Sequence, residues 1–305
     1  MAEKTFSILI TTKNRLKDLK FTLKKINHLV ERDDVECIIC DDGSTDDTYE
    51  FIKENCPKVQ LIHNKKSRGL IYSRNRLLNL TTAKYPISLD DDAHFISKTP
   101  LENIENYFKE NTSCGVIACR IFWGKNKPTT INSNDKPKIV KGFVGCGHVW
   151  NMKAWNSTPS YPDWFIFYGE EDFAAFQLFK KGWEVHYVPE ILVHHRVDIK
   201  ARKKEKDYRL RLRRSLRSGW YLYFLFYPWQ LIPKKFIYTL WIQLKLKVFK
   251  GDFKAFIAIL QALGDVLINL PRLFRNSNRL TNKEFLEFSK LPDAKLYWTP
   301  EDLEN

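Results

Sequence analysis

The sequence predicts an α/β protein in which a mainly parallel sheet is flanked by helices and followed by a basic helical appendage. Three observations carry this expectation. Between Phe6 and Asp92, apolar β-branched runs alternate with stretches of helical periodicity, and that alternation builds a parallel sheet covered on both faces. Polar clusters close the runs at Thr11-Thr12, Asp41-Asp42 and Asp90-Asp91-Asp92, which is where open sheets of this kind bind ligands. Beyond Val197 the chain turns basic, with large apolar faces at helical spacing.

Taken in order, FSILITT is a continuous apolar run and reads as a strand, and LKDLKFTLKKINHLV repeats its apolar residues with helical period. The next units keep the order: VECIICDD as strand, DDTYEFIKENC as helix, VQLIHN as strand, GLIYSRNRLLNLTT as helix, and YPISLDDD as a strand ending in carboxylates. From Cys114 to about Trp155 the pattern is strand-like and loop-rich, with GKNKPTTINSNDKPK as a surface loop. GFVGCGHVW, YPDWFIFYGEED, a helix FAAFQLFKKGW and a strand pair EVHYVPEILVHH follow, and the first domain is expected to close near His195. No internal repeat is present.

At 305 residues the chain can bury an ample core, and 44% hydrophobic with 28% charged residues excludes a largely disordered protein. The first residues pass directly into a strand-like run without a secretory pattern, so the expected setting is the cytoplasm. The six cysteines match neither a disulfide framework nor a zinc knuckle. Cys37 and Cys40 form a CxxC, yet they sit inside a strand rather than at a helix start, so they read as core. A net charge of +14 implies an anionic partner. Between Arg196 and Arg217 eleven Lys/Arg face three acids, so more than half the excess lies in one segment.

Four clusters carry chemistry. In CDDGSTDDT, Asp42 at a strand end can accept the imide N–H of a uracil or thymine ring, supported by Thr11, with Gly and Ser permitting a tight turn. The alternative is an Asx turn and helix cap built from Ser44, Thr45 and Asp46. In LDDDAHF, three carboxylates closing an apolar strand repel one another unless a cation or solvent compensates. Mn²⁺ or Mg²⁺ compensates directly and can bridge to a diphosphate. Strand alternation puts Asp90 and Asp92 on one face, with Asp92 on the metal, Asp90 on a ribose or metal-bound water, and Asp91 directed elsewhere. The alternative is a solvated acidic turn.

YGEEDF places Glu170, Glu171 and Asp172 at the mouth of a helix beside aromatics. Acids are favoured there by the dipole alone, but a positioned carboxylate can also act as general base toward a hydroxyl, with Asp172 first and Glu171 second. In VPEILVHH either histidine could complete a metal shell, His194 slightly ahead of His195. GCGHVW lacks the third glycine of a dinucleotide fingerprint and reads as a close-approach turn beneath an acceptor site. Trp150, Trp155, Trp164 and Tyr168 are sugar-stacking candidates there, against the alternative that they are core.

In this combination and order the residues resemble the family 2 glycosyltransferases, which have the GT-A nucleotide-sugar fold. The matching pieces are ITTKNR, CDDGSTDDT, SRGLIYSRNRLL, SLDDDAHF, GCGHVWNMKAW, GEEDFAAFQLFKKGW and VPEILVHH, spanning about residues 6 to 195. The resemblance implies a catalytic domain over 1–195, with a donor half at about 1–95 and an acceptor half at about 96–195, and a separate region over 196–305. It implies that Thr11, Asp42, Arg68 and Asp90 line a nucleotide pocket together with Arg15 and Asp91, that Asp92 holds Mn²⁺ or Mg²⁺, and that Asp172 or Glu171 is the base. Glu170 falls with Trp150, Trp164 and Tyr168 on the acceptor side. The implied reaction is an inverting single displacement from a nucleoside-diphosphate sugar, UDP or dTDP favoured, to a glycan or lipid-linked acceptor. FAAFQLFKKGW lacks an Arg that many relatives carry, and a QxxRW-like motif is absent, which favours single addition over polymer synthesis.

The uncharged stretch Gly219–Pro233 is shorter than the roughly 20 residues a span needs. Lys245, Lys247, Lys250 and Lys254 interrupt the later apolar stretches, a pattern of interfacial helices. The expectation is peripheral attachment through 196–275 at the anionic inner face of the cell membrane, against packing on the catalytic domain or a homodimer contact. Two other classes compete: a nucleotide-sugar-binding protein without turnover, and a nucleic-acid binder, which the acidic strand ends would repel.

Overall fold

The computed structural model describes residues 4–197, 207–293, 295 and 297–298. Strand β1 (Phe6–Thr12) is buried along its whole length, as a run covered on both faces must be. It lies between β2 (Val35–Asp41) and β4 (Tyr85–Asp90), both parallel to it, and β3 (Val59–His63) extends β2. Helices α1 (Leu16–Val30), α2 (Thr48–Asn55) and α3 (Leu70–Leu80) make the crossovers. In α1 the buried Leu19, Ile26 and Leu29 recur at multiples of the helical turn and face β2 and β5 (Ala93–Phe95). Strand β4 ends at Asp90, so Asp91 and Asp92 form a turn into β5 rather than continuing the expected strand.

Beyond β4 the sheet becomes mixed. Its order is β3-β2-β1-β4-β8-β6-β9-β5, with β7 (Lys138–Val140) on β9 and β10 (Tyr297–Trp298) on β6. Strand β8 (Gly147–Trp150) runs antiparallel to both β4 and β6 (Cys114–Trp123). Residues 96–113, which the sequence reading left unassigned, include helix α4 (Pro100–Glu110), started by proline and buried through Leu101, Ile104 and Phe108. EVHYVPEILVHH forms one strand, β9 (Glu184–His195), instead of the expected pair. Its register against β6 jumps from Cys119↔Val188 to Arg120↔Leu192, so the residues around Pro189 bulge without ending the strand.

Helices α5 (Met152–Ser157) and α6 (Glu170–Lys180) precede β9. After it come α7 (Tyr208–Phe226), α8 (Ile232–Leu246), α9 (Phe253–Arg275) and α10 (Asn282–Lys290). The basic segment 198–206 lies outside the described residues. The helical region shares a core with the sheet half. Phe176 of α6 stacks on Phe226 of α7 at 4.8 Å and lies 4.6 Å from Phe288 of α10. Tyr187 of β9 stacks on Trp298 at 5.8 Å.

Candidate active site

The site forms where β1, β4 and β9 end, beneath the N-terminus of α6 and beside α3. Its centre is Arg74. On α3 the buried residues Ile71, Arg74, Leu77 and Leu78 share one face, which puts a guanidinium on an apolar stripe. A buried charge must be paired. Arg74 donates to Asp90 Oδ1 at 2.9 Å, Glu170 Oε1 at 2.7 Å, Glu171 Oε1 at 3.4 Å and the Gly145 carbonyl at 3.1 Å. One side chain thus ties three sequence motifs together. Burial works against its charge, but Asp90, Glu170 and Glu171 more than offset this and hold its pKa above the ordinary value.

Gly145 is the close-approach glycine of GCGHVW. A Cβ there would fall 2.2 Å from Glu171 Oε1 and 2.5 Å from Arg74 Nη1. Cys146 follows it, and its Sγ lies 4.0 Å from the hydroxyl of Tyr297. Ligand atoms of Asp90, Cys146 and His195 lie within 4.8 Å of one another. His195 Nε2 is 3.0 Å from Asp92 Oδ1 and 3.8 Å from Asp90 Oδ2, yet neither ring nitrogen makes a well-directed hydrogen bond. Burial disfavours a charged His195, but its neighbours hold its pKa above the usual range. Burial also raises the Cys146 thiol, so at neutral pH the carboxylates, rather than a thiolate, supply the favourable field.

Asp90 and Asp92 therefore converge on His195, through a turn rather than by strand alternation. His194, the residue favoured from the sequence, points to the opposite face of β9: its Nε2 lies 2.9 Å from the Gly124 carbonyl and its ring packs on His94. It is not a ligand candidate here. Asp91 is buried and turned away, accepting from Thr12 Oγ1 and paired with Arg15 Nε, both at 2.9 Å. Burial, opposed by Arg15 and assisted by Asp92 and Asp90, pushes it up to about 8. Arg15 also pairs with Asp92 at 2.5 Å, so Arg15 and Asp91, two of the residues expected to contact donor, are engaged in holding the acidic turn.

Asp42 is committed to the protein. One oxygen accepts from Asn64 Nδ2, the Arg68 amide and Ser73 Oγ, and the other from Ser67 Oγ and the Gly69 amide. Burial opposes ionisation, but these donors keep its pKa below the usual carboxylate value. Five donors occupy the directions a carboxylate offers, so it shapes the 64–69 loop instead of presenting a free acceptor to a base. Gly43, at φ +73°, lets this loop approach: a Cβ would meet the Ser67 amide at 2.8 Å. Thr11, one residue before the end of β1, is in register with Asp90, and Arg68 lies exposed over the Tyr72 ring at 4.2 Å.

Consecutive residues at the start of α6 diverge by about 100°, and the three acids take three environments. Glu170 is buried against Arg74 with Oε2 unpartnered, and burial with Glu171, opposed by Arg74, raises it to about 8. That excludes an acceptor-surface role. Glu171 faces Arg74 and Gly145. Asp172 points into a separate cleft of 620 Å³ whose walls include Phe143, Phe176, Leu222, Tyr227 and Phe288. Desolvation of its carboxyl among the cleft walls, with Glu171 and Asp293 and against Lys141, lifts it to about 6.

Among the stacking candidates, Trp150 is fully buried and donates to the Tyr161 hydroxyl at 2.9 Å, and Trp155 is buried and donates to Asn79. Both are core. Trp164 packs on Tyr221 and beneath Arg272, tied to the helical region, and the half-buried Tyr168 sits at φ +71° against Phe167. The sequence marks a close-approach turn in GCGHVW, which the structure assigns to Gly145, but it gives no role to Arg74 or Cys146. The arginine had a signal, as the lone charge on the apolar face of its helix.

The glycosyl transferase family 2 model matches residues 7–167, over half of the chain. The chain belongs to this family. The match ends just before α6, so the acidic helix start is outside it. Chondroitin synthase of Escherichia coli is 29% identical over 142 residues, 42% of this chain and 20% of that protein. Among solved structures, GalNAc-T7 with UDP, GalNAc and Mn²⁺ aligns with a TM-score of 0.59 at 13% identity, covering 88% of this chain and 58% of the other. The mannosyltransferase PcManGT from Pyrobaculum calidifontis, in complex with GDP-Man and Mn²⁺, gives 0.54 at 14% identity, covering 95% and 84%. At these identities the likeness is one of fold, and the fold of this family 2 protein is GT-A. The chain spans a fifth of the chondroitin synthase and under two thirds of GalNAc-T7.

Proposed function

We propose that this protein is an inverting glycosyltransferase that moves a sugar from a nucleoside-diphosphate donor to a hydroxyl of a glycan or lipid-linked acceptor. One observation carries the reading: Arg74 joins the acidic strand end at Asp90 to Glu171 on α6, with Asp92 and His195 alongside. This is a cation and leaving-group centre beside a candidate base. The six free cysteines accord with a cytoplasmic setting.

A divalent cation fits the donor set of Asp90, Asp92 and His195, because His195 lacks well-directed hydrogen bonds for either nitrogen and lies against two carboxylates. An imidazole among the donors favours Mn²⁺ over Mg²⁺, which prefers oxygen alone. When bound, the cation offsets charge on the leaving diphosphate. Arg74 fixes Asp90, and Arg15 fixes Asp92.

Glu171 is the base we favour over Asp172, because position decides before pKa does. It shares Arg74 with Asp90, whereas Asp172 faces the separate cleft. Glu171 accepts the acceptor hydroxyl's proton as that oxygen bonds to the anomeric carbon from the face opposite the diphosphate. The glycosidic C–O bond breaks, the diphosphate keeps the electron pair, and configuration inverts. With Asp42 saturated, the choice of nucleobase passes to other contacts, and UDP, dTDP and GDP are the donors to compare.

Thermal shift with these diphosphates, with and without Mn²⁺, followed by donor hydrolysis and transfer assays, tests the proposal. Mn²⁺-dependent stabilisation by one diphosphate, and turnover of its sugar, are expected. The absence of any such stabilisation would overturn the reading; stabilisation without turnover would leave only a nucleotide-sugar-binding protein.

A further inference from the structure

Helices α8 and α9 present an apolar surface that the rest of the described chain leaves uncovered. On α8, Lys234, Tyr238, Trp241 and Lys245 follow one another at helical spacing and are all exposed. The stripe continues into Phe249, whose ring lies 5.9 Å from Trp241, and then into Phe253 at the start of α9. Just before α8, the exposed Trp229 lies 5.5 Å from the exposed Phe274 near the end of α9. Along α9 the exposed residues Phe253, Phe256, Leu260, Leu267 and Phe274 recur every three, four or seven positions. At 1.5 Å per residue that stripe is about 32 Å long. A contiguous apolar face of this extent calls for a partner.

Charge names the partner. Residues 227–275 contain eight Lys/Arg and two acids. Both acids are engaged by the protein: Asp252 caps α9 and accepts from the Tyr208 hydroxyl, and Asp265 pairs with Arg213 at 2.5 Å and Arg217 at 3.5 Å. What remains outside is aromatic, aliphatic and cationic, with lysines at both ends of the α8 stripe. That combination matches the interface of an anionic bilayer, where rings and aliphatics enter the acyl boundary and lysines reach the headgroups. A symmetric second copy fits poorly, since it would set one basic rim against another.

We propose that the α8–α9 face is the docking surface of this protein for an anionic lipid bilayer, with α9 lying in the interface instead of crossing it. By length and a mean hydropathy of 1.6, α9 could span a membrane. Its inner side is nevertheless occupied. Ala255, Ala258, Ala262 and Val266 are buried, and Asp265 is ion-paired to α7. Crossing would strip α9 from α7 and carry that carboxylate into hydrocarbon, a costly transfer. Lying flat keeps every inward contact and immerses only the exposed stripe. Lys235 of α8 also lines the Asp172 cleft, so docking brings that cleft beside the headgroups.

The test is flotation of the full chain with vesicles of phosphatidylcholine alone or mixed with phosphatidylglycerol, at low and high salt. Flotation with the mixed vesicles is expected, weakened by salt and reversed by alkaline carbonate. The double variant Leu267→Glu/Ile268→Glu, at positions 67% and 79% exposed, should keep its circular dichroism and lose flotation. Lys234→Ala with Lys245→Ala should lower the partition coefficient on the order of 30-fold, at about 1 kcal/mol per lysine near the surface. Three results would each overturn the proposal: wild type that stays soluble with mixed vesicles at low salt, wild type that resists carbonate extraction, or a glutamate variant that floats like wild type. Sedimentation velocity supplies the remaining decision. If the glutamate substitutions convert a dimer to a monomer and leave flotation unchanged, the face is a subunit contact.

Discussion

Gly145→Ala would place a methyl group where the structure has no room, and what it meets sets the outcome. The new Cβ would lie 2.2 Å from Glu171 Oε1, 2.5 Å from Arg74 Nη1 and 2.7 Å from Arg74 Nη2. Ordinary contacts begin near 3.4 Å, so these atoms must retreat by about 1 Å. All three are the ends of side chains, so the backbone need not move, but Arg74 is buried and paired with Asp90 and Glu170, so the stability cost falls within the roughly 1–3 kcal/mol range for overpacking and not below it. Catalysis is far less tolerant, because a misplacement of about 1 Å at a reacting centre costs about 100-fold. The expected result is a variant with a melting temperature lowered by a few degrees, nearly intact Mn²⁺-dependent affinity for the nucleoside diphosphate, and kcat/KM for transfer down roughly 100-fold. Calorimetry, nucleotide titration and a transfer assay read the three quantities separately. Transfer within about threefold of wild type would refute the placement of Glu171 and Arg74 at the reacting centre.

The other predictions separate neighbours. Glu171→Gln should preserve donor binding and lower transfer by orders of magnitude, with Asp172→Asn much milder; the reverse order would move the base to the cleft. His195→Ala should remove the Mn²⁺ dependence of donor affinity, measured by titration with and without the ion, and His194→Ala should leave it unchanged. Asp172 also carries a pH signature, since its pKa rises to about 6 on folding from about 4 unfolded. The folded state then binds the extra proton, so this residue's contribution to stability falls as pH rises from about 4 to about 6. Asp172→Asn should remove that decline, seen as a difference in melting temperature between variant and wild type that grows through this window and is constant above it.

How far the site was legible follows from the range of each interaction. Residues 6–92 could be read because strand and helix signals there are local and repeat without interruption. The acidic cluster announced itself through its own repulsion. Helix α4 went unassigned although Pro100, Leu101, Ile104 and Phe108 carry a clear signature. Trp150 and Trp155 read equally as stacking faces or as core, because an aromatic run looks the same in sequence whichever way it turns. The slight preference for His194 over His195 has no firm basis in the sequence for a related reason: adjacent residues on β9 point to opposite faces, and only pairing with β5 and β6 determines which face meets Asp90.

By itself the sequence determined the alternation of strand and helix, the carboxylates at the strand ends, the reduced cysteine pattern and an amphipathic basic tail, because each is written in neighbouring residues. Tertiary structure alone decided that Arg74 meets Glu170, 96 positions away, that Asp42 is consumed by its own loop, and that Glu171 faces Arg74 while Asp172 faces a separate cleft. It also decided which side of α9 is left open. Those outcomes depend on which elements pack together, and a buried charge takes its partner from wherever the fold brings one within hydrogen-bond reach.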